Sequence, residues 1–161
     1  MAHLVESMAY VGDTPWHGLG NRLSAHQPLQ TWLVEAGMDW HIAQSDVLFN
    51  VAPDGLHIRP HTDAKVLYRS DTLAPLSVVS NRYKVVQPDE VLGFYKDLVK
   101  AGGLVLETAG VLKGGRKLWA LARTGQESAL RGGDTVKAYL LLATSCDGSL
   151  CTTAQFTSVR V

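Results

Sequence analysis

Apolar residues recur at helical spacing in two segments of the chain. The first stripe follows Pro28, precedes Gly37 and consists of Leu29, Trp32, Leu33 and Ala36. The second stripe follows Pro88-Asp89-Glu90, precedes Gly102-Gly103 and consists of Val91, Tyr95, Leu98 and Val99. Proline in the first turn and glycine past the last turn are typical helix boundaries, and acidic residues suit the positive end of a helix dipole. The pattern predicts one helix from Pro28 to about Ala36 and another from Pro88 up to the glycine pair.

Alternating and β-branched runs elsewhere predict strands. Before the second helix these runs cover residues 40–51, 56–59, 64–70 and 76–80. After it they cover residues 104–112, 116–124, 136–144 and 156–161, with glycine-containing turns between them. Asp147-Gly148 between two such runs is a strong hairpin signal. Residues 1–24 are predicted to form an irregular arm with a turn at residues 16–20.

This order predicts an α+β fold, an antiparallel β-meander with two helices packed on one face. Residues 1–80 would supply the N-terminal arm, the short helix and β-hairpins, and residues 81–161 the second helix and the four-stranded meander. With 161 residues, the two parts are expected to form one compact domain, with a weak boundary near Ser80. The last run is still strand-like at Val161, which suggests a chain truncated at its C-terminus, so that a site completed downstream would be missing.

Charge and hydropathy narrow the class of protein. Hydrophobic residues make up 46% of the chain, which is enough for a core, and 15 basic residues balance 15 acidic residues. Zero net charge argues against a strongly basic nucleic-acid coat but allows a local basic stripe. No apolar run approaches the roughly 20 residues that span a bilayer, and the N-terminus lacks the pattern of a secretory signal. The expected location is the cytoplasm of a bacterial host.

Several collinear stretches carry a family resemblance. They are residues 8–10, 15–20, 36–40, 80–88, 108–110, 118–122 and 135–161. Together they resemble the N-terminal half of the phage/plasmid-like protein family, which contains a domain of unknown function. The resemblance implies a phage, plasmid or other mobile genetic element as context and names no reaction. Cys146 departs from the family pattern, in which a polar residue, often His, precedes Asp-Gly-Ser.

The two cysteines, Cys146 and Cys151, lie on either side of the predicted hairpin turn. In a cytoplasmic protein they are expected to be reduced thiols that fill small core positions. The alternative is a strained or redox-active bridge between them. Two cysteines alone are too few for a zinc site.

Basic residues next to aromatic rings give the most informative candidate site. Cations that follow phosphates and rings that stack on bases are what single-strand binding requires. The candidates are Arg82, Tyr83, Lys84, Lys113, Arg116, Lys117 and Trp119. A helix on an antiparallel meander with basic hairpin tips also resembles phage single-strand annealing proteins, at the level of fold. The competing interpretation is ordinary solvated hairpin charge with Trp119 in the core.

The histidines give weaker candidates. His57, His61 and Asp63 have ligand-like spacing for zinc or a harder divalent ion, but Pro60 prevents a shared helical face, and exposed loop histidines are the simpler interpretation. His17 could act as a base, although a turn residue whose ring caps local backbone is favoured. Trp16 and His17 are also possible interface residues, and Trp16 would be the anchor if it is exposed. The sequence contains no recognised nucleophile, zinc-protease or phosphate-loop motif.

Three functions remain open from the sequence. The first is a non-enzymatic accessory protein that binds single-stranded DNA in replication or recombination of a mobile element. The second is a protein-binding inhibitor of a host defence system, similar in role to an anti-CRISPR protein, whose partner is a host or phage protein. The third is a metal-dependent hydrolase or nuclease. The first is favoured, and it requires no cofactor.

Overall fold

The computed structural model describes residues 4–130 and 132–160. Its helices are α1 (Leu29–Glu35) and α2 (Pro88–Gly102), and a 3-10 turn covers Lys113–Gly115. The strands, in chain order, are β1 (Val5–Val11), β2 (Asn21–Leu23), β3 (Ile42–Asn50), β4 (Ile58–Arg69), β5 (Pro75–Ser80), β6 (Val105–Leu112), β7 (Lys117–Ala129), β8 (Thr135–Ser145) and β9 (Thr153–Arg160).

The strands form two sheets, so the predicted α+β class is confirmed but the simple meander is not. A six-stranded sheet has the order β2-β1-β6-β7-β8-β9, and a separate three-stranded sheet has the order β3-β4-β5. The run from β6 to β9 is antiparallel between neighbours, as predicted for residues 104–161, of which residues 131 and 161 lie outside the described residues. β1, however, pairs antiparallel with β6 and parallel with β2.

The prediction of an irregular arm over residues 1–24 was therefore wrong for residues 5–11 and 21–23, which form β1 and β2, and residues 1–3 lie outside the described residues. Met8, Ala9 and Tyr10 are all buried in β1, and Ala9 pairs with Ala109 across the sheet. A strand whose partner lies a hundred residues away gives no local hairpin signal, because no turn connects the two. The predicted strands over residues 56–59 and 64–70 are likewise one strand, β4.

The second helix begins and ends where the sequence predicted. The carboxylate of Glu90 accepts a 2.6 Å hydrogen bond from the N–H of Gln87, and Pro88 occupies the first turn. Gly103 ends the helix with a φ of 66°, which is strained for residues with a side chain. The side-chain amide of Gln87 forms two more hydrogen bonds, at 2.7 and 3.0 Å, to the backbone of Ile42 at the start of β3. The helix start is thereby fastened to the smaller sheet.

Tyr95 anchors α2 on the larger sheet. Its buried hydroxyl lies 2.7 Å from the carbonyl oxygen of Ala120 on β7 and 3.0 Å from that of Leu140 on β8. Burial raises the pKa of Tyr95, so the hydroxyl remains a donor at neutral pH. Helix α1 lies against α2 and β1. That both helices share one face of the sheet stays a prediction.

A buried arginine connects the smaller sheet to the larger one. Arg69 at the end of β4 is 6% exposed. Its guanidinium donates to the carboxylates of Glu6 at 2.6 Å and Asp71 at 2.8 Å, and it lies 4.2 Å from the ring centroid of Trp40. The hydrogen bond from Arg69 is the main cause that lowers the pKa of Asp71.

The same guanidinium reaches the 3-10 turn. It lies 3.4 Å from the carbonyl oxygen of Gly114. A Cβ atom on Gly115 would come within 2.9 Å of the Trp40 ring, and the φ of 101° also requires glycine there. Arg69 and Trp40 therefore fix the path of the turn that precedes Arg116.

One cluster of buried apolar residues spans both parts of the chain. It includes Trp32 and Leu67 from before residue 80 and Val91, Ala120 and Leu142 from after it. Among the described residues, no helix is long and apolar enough to cross a membrane.

Removal of the Tyr95 hydroxyl should destabilise the fold. We expect Tyr95→Phe to lower the free energy of unfolding by about 1–2 kcal/mol, because two buried carbonyl groups lose a donor. Tyr68→Phe, at a half-buried position on β4, is the matched control and should change stability by less than about 0.5 kcal/mol. Urea denaturation of the two variants measures the difference, and equal midpoints would contradict this role of Tyr95.

Candidate nucleic-acid interface

The structure brings two of the predicted basic segments together at the end of β8. The hydroxyl of Tyr83 donates a 2.8 Å hydrogen bond to the carbonyl of Ser145. The N–H of Cys146 donates a 3.0 Å hydrogen bond to the carbonyl of Arg116, and Lys117 pairs with Ser145 in the register of β7 and β8. The residues adjoining these contacts define a basic corner, which consists of Arg82, Lys84, Arg116 and Lys117.

The basic corner is accessible and keeps an excess of positive charge. Arg82, Lys84 and Arg116 are exposed, and Lys117 is half-buried. Partial burial tends to raise the pKa of the neighbouring Asp147, but hydrogen bonds from Ser149 and the charge of Lys117 outweigh it and lower the pKa. Asp147 is therefore ionised at neutral pH, and the corner holds four cations beside one carboxylate.

Lys113 lies in the turn that leads to this corner. It is exposed, has a φ of 53°, and its N–H donates to the carbonyl of Leu4. The adjacent Gly114 and Gly115 also have positive φ values, which give the turn its tight path. Lys113 thus adds a fifth cation three residues before Arg116.

Tyr83 is placed differently from the predicted stacking residue. Its ring packs against the hydrophobic core, and its hydroxyl is engaged with Ser145. Burial is the main cause that raises the pKa of Tyr83. A ring that stacks on a base must be accessible, and the ring of Tyr83 is instead packed against the core. Its contacts fix the backbone between Arg82 and Lys84.

Trp119 lies on the side of β7 that faces away from the core. Leu118, Ala120 and Ala122 belong to the buried cluster, and strand alternation places the residues between them on the opposite side, here called the outer face. The half-buried Trp119 ring donates from Nε1 to Thr108 Oγ1 at 3.2 Å. Its edge lies over Gly110 on β6, which leaves room for the ring because it has no Cβ.

Cations flank Trp119 along the outer face. Alternation puts Lys117 two residues before it and Arg123 four residues after it on the same side of β7. At about 3.3 Å per residue, the two cations are roughly 20 Å apart along the strand. A half-exposed indole between two cations is an arrangement that can bind bases and phosphates of an extended strand.

Trp16 and His17 lie in a turn remote from the corner in sequence. Trp16 is 81% exposed, and its ring meets that of His17 edge-on with 5.4 Å between centroids. The Nδ1 atom of His17 accepts a 3.1 Å hydrogen bond from the N–H of Leu19. This bond is the backbone-capping role that was favoured for His17 over a catalytic one.

The weak metal candidates do not converge. His57 lies 3.4 Å from Asp54, whereas His61 accepts a hydrogen bond from the N–H of Asp63. Within residues 4–130 and 132–160, no three His, Cys, Asp or Glu side chains form a group that could hold a metal ion.

The two cysteines occupy unlike positions. Cys146 is buried and Cys151 is exposed, and neither is in a disulfide. The prediction that both thiols fill core positions was therefore wrong for Cys151. Burial raises the pKa of the Cys146 thiol to about 11, so it is a neutral packing group at neutral pH.

Sequence reasoning missed a second group of polar residues on the outer face. Glu107, Arg123, Lys137 and Tyr139 line an open cleft of about 810 Å³ beneath the segment that follows β1. The sequence feature that could have indicated this group is the presence of charged residues within otherwise apolar strands. Strand periodicity alone could not show that three different strands bring them together.

Comparison with known proteins identifies a family but no function. The family described as a domain of unknown function, DUF932, matches residues 75–161, which include α2 and β5–β9. No curated protein and no solved structure shows significant similarity to the chain.

The contact between Trp119 and Gly110 can be tested by adding one methyl group. Gly110→Ala should lower the free energy of unfolding by about 1–3 kcal/mol, because a Cβ there would lie 2.5 Å from the Ser7 carbonyl oxygen and would displace the Trp119 ring. Gly93→Ala in α2 is the control, since nothing lies within 4 Å of its Cβ, and alanine there should stabilise by up to about 1 kcal/mol. Thermal unfolding and tryptophan fluorescence report both effects, and an unchanged emission spectrum in Gly110→Ala would contradict the placement of the ring.

Proposed function

The chain belongs to the DUF932 family, and we propose that it is a non-enzymatic protein that binds single-stranded DNA. In this proposal it is an accessory protein of a phage, plasmid or related mobile element and acts in replication or recombination. The mobile-element context rests on the resemblance of its sequence to phage and plasmid proteins.

The hydrogen bond from Tyr83 to Ser145 is the observation that carries the proposal. Residues 82–84 and 116–117 are more than thirty positions apart in the sequence. This bond, and the bond from the Cys146 N–H to the Arg116 carbonyl, connect both segments to the end of β8. Four cations at one corner provide a local positive surface on a protein whose net charge is zero.

The outer face favours an unpaired strand over a duplex. Trp119 lies two residues from Lys117, so a phosphate held at the basic corner would place its base near the indole ring. Stacking needs a base whose face is exposed, which a single strand offers and a duplex does not. Lys117 belongs to both the corner and the outer face and would be the central phosphate contact.

Binding through the corner should depend on salt to a limited degree. Each phosphate contact to a single strand contributes a slope of about −0.7 in a plot of log K against log salt concentration. Four contacts give a slope of about −3. A larger slope would require cations outside the corner, such as Lys113.

Neutral substitutions at the corner should reduce both affinity and salt dependence. We expect Arg116→Gln/Lys117→Gln to weaken binding of an oligothymidine and to reduce the slope by about 1.4, because two phosphate contacts are lost. Lys96→Gln/Lys100→Gln, at two exposed positions on α2, removes the same charge and should leave affinity and slope nearly unchanged. Fluorescence anisotropy across a series of salt concentrations measures both, and equal losses in the two double variants would refute the assignment of the corner.

A protein-binding function is the second candidate, and the edge strand β9 favours it. β9 pairs only with β8 among the described strands, and Phe156 on it is 79% exposed. An open strand edge with an exposed ring suits strand addition by another protein. This candidate, an inhibitor of a host defence complex, requires no affinity for DNA, which the salt titration determines.

A further inference from the structure

The cleft on the outer face lies between the larger sheet and the segment that follows β1. Its floor is formed by β6, β7 and β8, and the segment after β1 passes over it. That segment is anchored by Tyr10, whose hydroxyl donates to Thr14 Oγ1 at 3.3 Å, and by Gly20, at which a Cβ would lie 2.6 Å from Met8. The volume of about 810 Å³ is within the range of small-molecule sites.

Two β-bulges give the cleft its polar floor. The pairing of β6 with β7 shifts by one residue between Leu106 and Thr108, so Glu107 is an extra residue. The pairing of β7 with β8 shifts again between Arg123 and Glu127. Bulges re-aim side chains and are common beside functional sites. Both shifts occur where β6, β7 and β8 line the cleft.

The polar groups of the floor form a connected set. Tyr139, which is 4% exposed, donates to Glu107 at 3.1 Å, and the other Glu107 oxygen lies 3.9 Å from Arg123 Nε. Burial, with the charge of Glu107 adding to it, raises the pKa of Tyr139 to about 12, so its hydroxyl is a fixed donor at neutral pH. Glu107 therefore lies between the hydroxyl of Tyr139 and the guanidinium of Arg123 at the cleft.

A second cation lies beside this set. Lys137 lines the cleft, and it takes part in no ion pair within residues 4–130 and 132–160, although Glu127 is its partner in the strand register. Lys137 and Arg123 can therefore both bind an anionic group. Asp13 and Glu107 are the acceptors on the same walls, and the exposed indole of Trp16 stands at the rim.

We propose that this cleft is a nucleotide-binding site. Arg123 and Lys137 would bind the phosphate, since both cations line the cleft and charge-assisted hydrogen bonds suit a phosphate oxyanion. The carboxylates would accept hydrogen bonds from sugar hydroxyls or base amino groups, and Trp16 would stack on the base. A plain inorganic anion would use the cations but neither the acceptors nor the ring, so the mixed lining fits a nucleotide better.

The nucleotide has two sources that share this chemistry. It is either a free mononucleotide or one nucleotide of a bound single strand. The second source rests on the proposed DNA-binding function, and the first does not. The distance along β7 between Lys117 and Arg123 makes the cleft and the basic corner separable by substitution.

Isothermal titration calorimetry of the full chain with adenosine monophosphate tests the site. If a free nucleotide binds, Arg123→Gln and Lys137→Gln should each weaken binding about ten-fold through loss of a charged contact, whereas Arg116→Gln should not. If only an oligothymidine binds, the same two cleft variants should weaken it about ten-fold, and the cleft then holds a nucleotide of the strand.

Some results would refute the proposal of a nucleotide site and leave the DNA-binding proposal standing. The proposal of a nucleotide site is wrong if neither ligand is affected by the cleft variants, even when Arg116→Gln weakens the oligothymidine. It is also wrong if Arg123→Gln acts only by lowering the unfolding midpoint. Glu107→Gln, which keeps the side-chain shape, should weaken nucleotide binding less than Arg123→Gln and serves as the check on positioning.

Discussion

The buried guanidinium of Arg69 is the contact on which the relation between the two sheets depends. It joins the end of β4 to Glu6 on β1, to Asp71, and to the carbonyl of Gly114 in the turn before β7. Removal of one partner from a buried ion pair is costly because the remaining charge is left without compensation. Here the two carboxylates have about 40% of their side-chain surface exposed and remain solvated, whereas the guanidinium is buried. Loss of the carboxylates would therefore leave the buried charge of Arg69 without compensation.

This arrangement explains how a protein without net charge obtains a local positive surface. Arg69 and Trp40 fix the 3-10 turn, which contains Lys113 and leads to Arg116. Tyr83 brings Arg82 and Lys84 to the same end of β8. None of the four cations of the basic corner takes part in the ion pairs found among the described residues. The structural cation is buried and the candidate binding cations are accessible. The two tasks are thus carried out by different residues.

Local sequence signals predicted the elements that are defined by their own ends. Proline and acids at Pro88-Asp89-Glu90 and the glycine pair at 102–103 predicted α2, and glycine-containing turns predicted the path from β6 to β9. β1 was missed because its partner β6 is distant in the sequence. The same limit explains the separate β3-β4-β5 sheet, since alternation predicts that a strand exists but not which strand it joins.

Part of the candidate site was likewise predictable from local sequence, and part of it was not. Cations next to rings were visible in the sequence as Arg82-Tyr83-Lys84 and as Lys117 near Trp119. The burial of Tyr83 was not visible, because it depends on the contact with Ser145 sixty-two positions away. The cleft residues Glu107, Arg123 and Tyr139 were missed because two shifts in strand register decide which way they point, and a shift in register leaves no pattern in composition or periodicity.

Amide chemical shifts followed during titration with an oligothymidine would show where on the protein a single strand binds. We expect the largest changes at residues 82–84 and 116–119, and we expect them to diminish as salt is raised. Changes confined to β9 or to the exposed surface of α2, or no changes at low salt, would contradict this expectation.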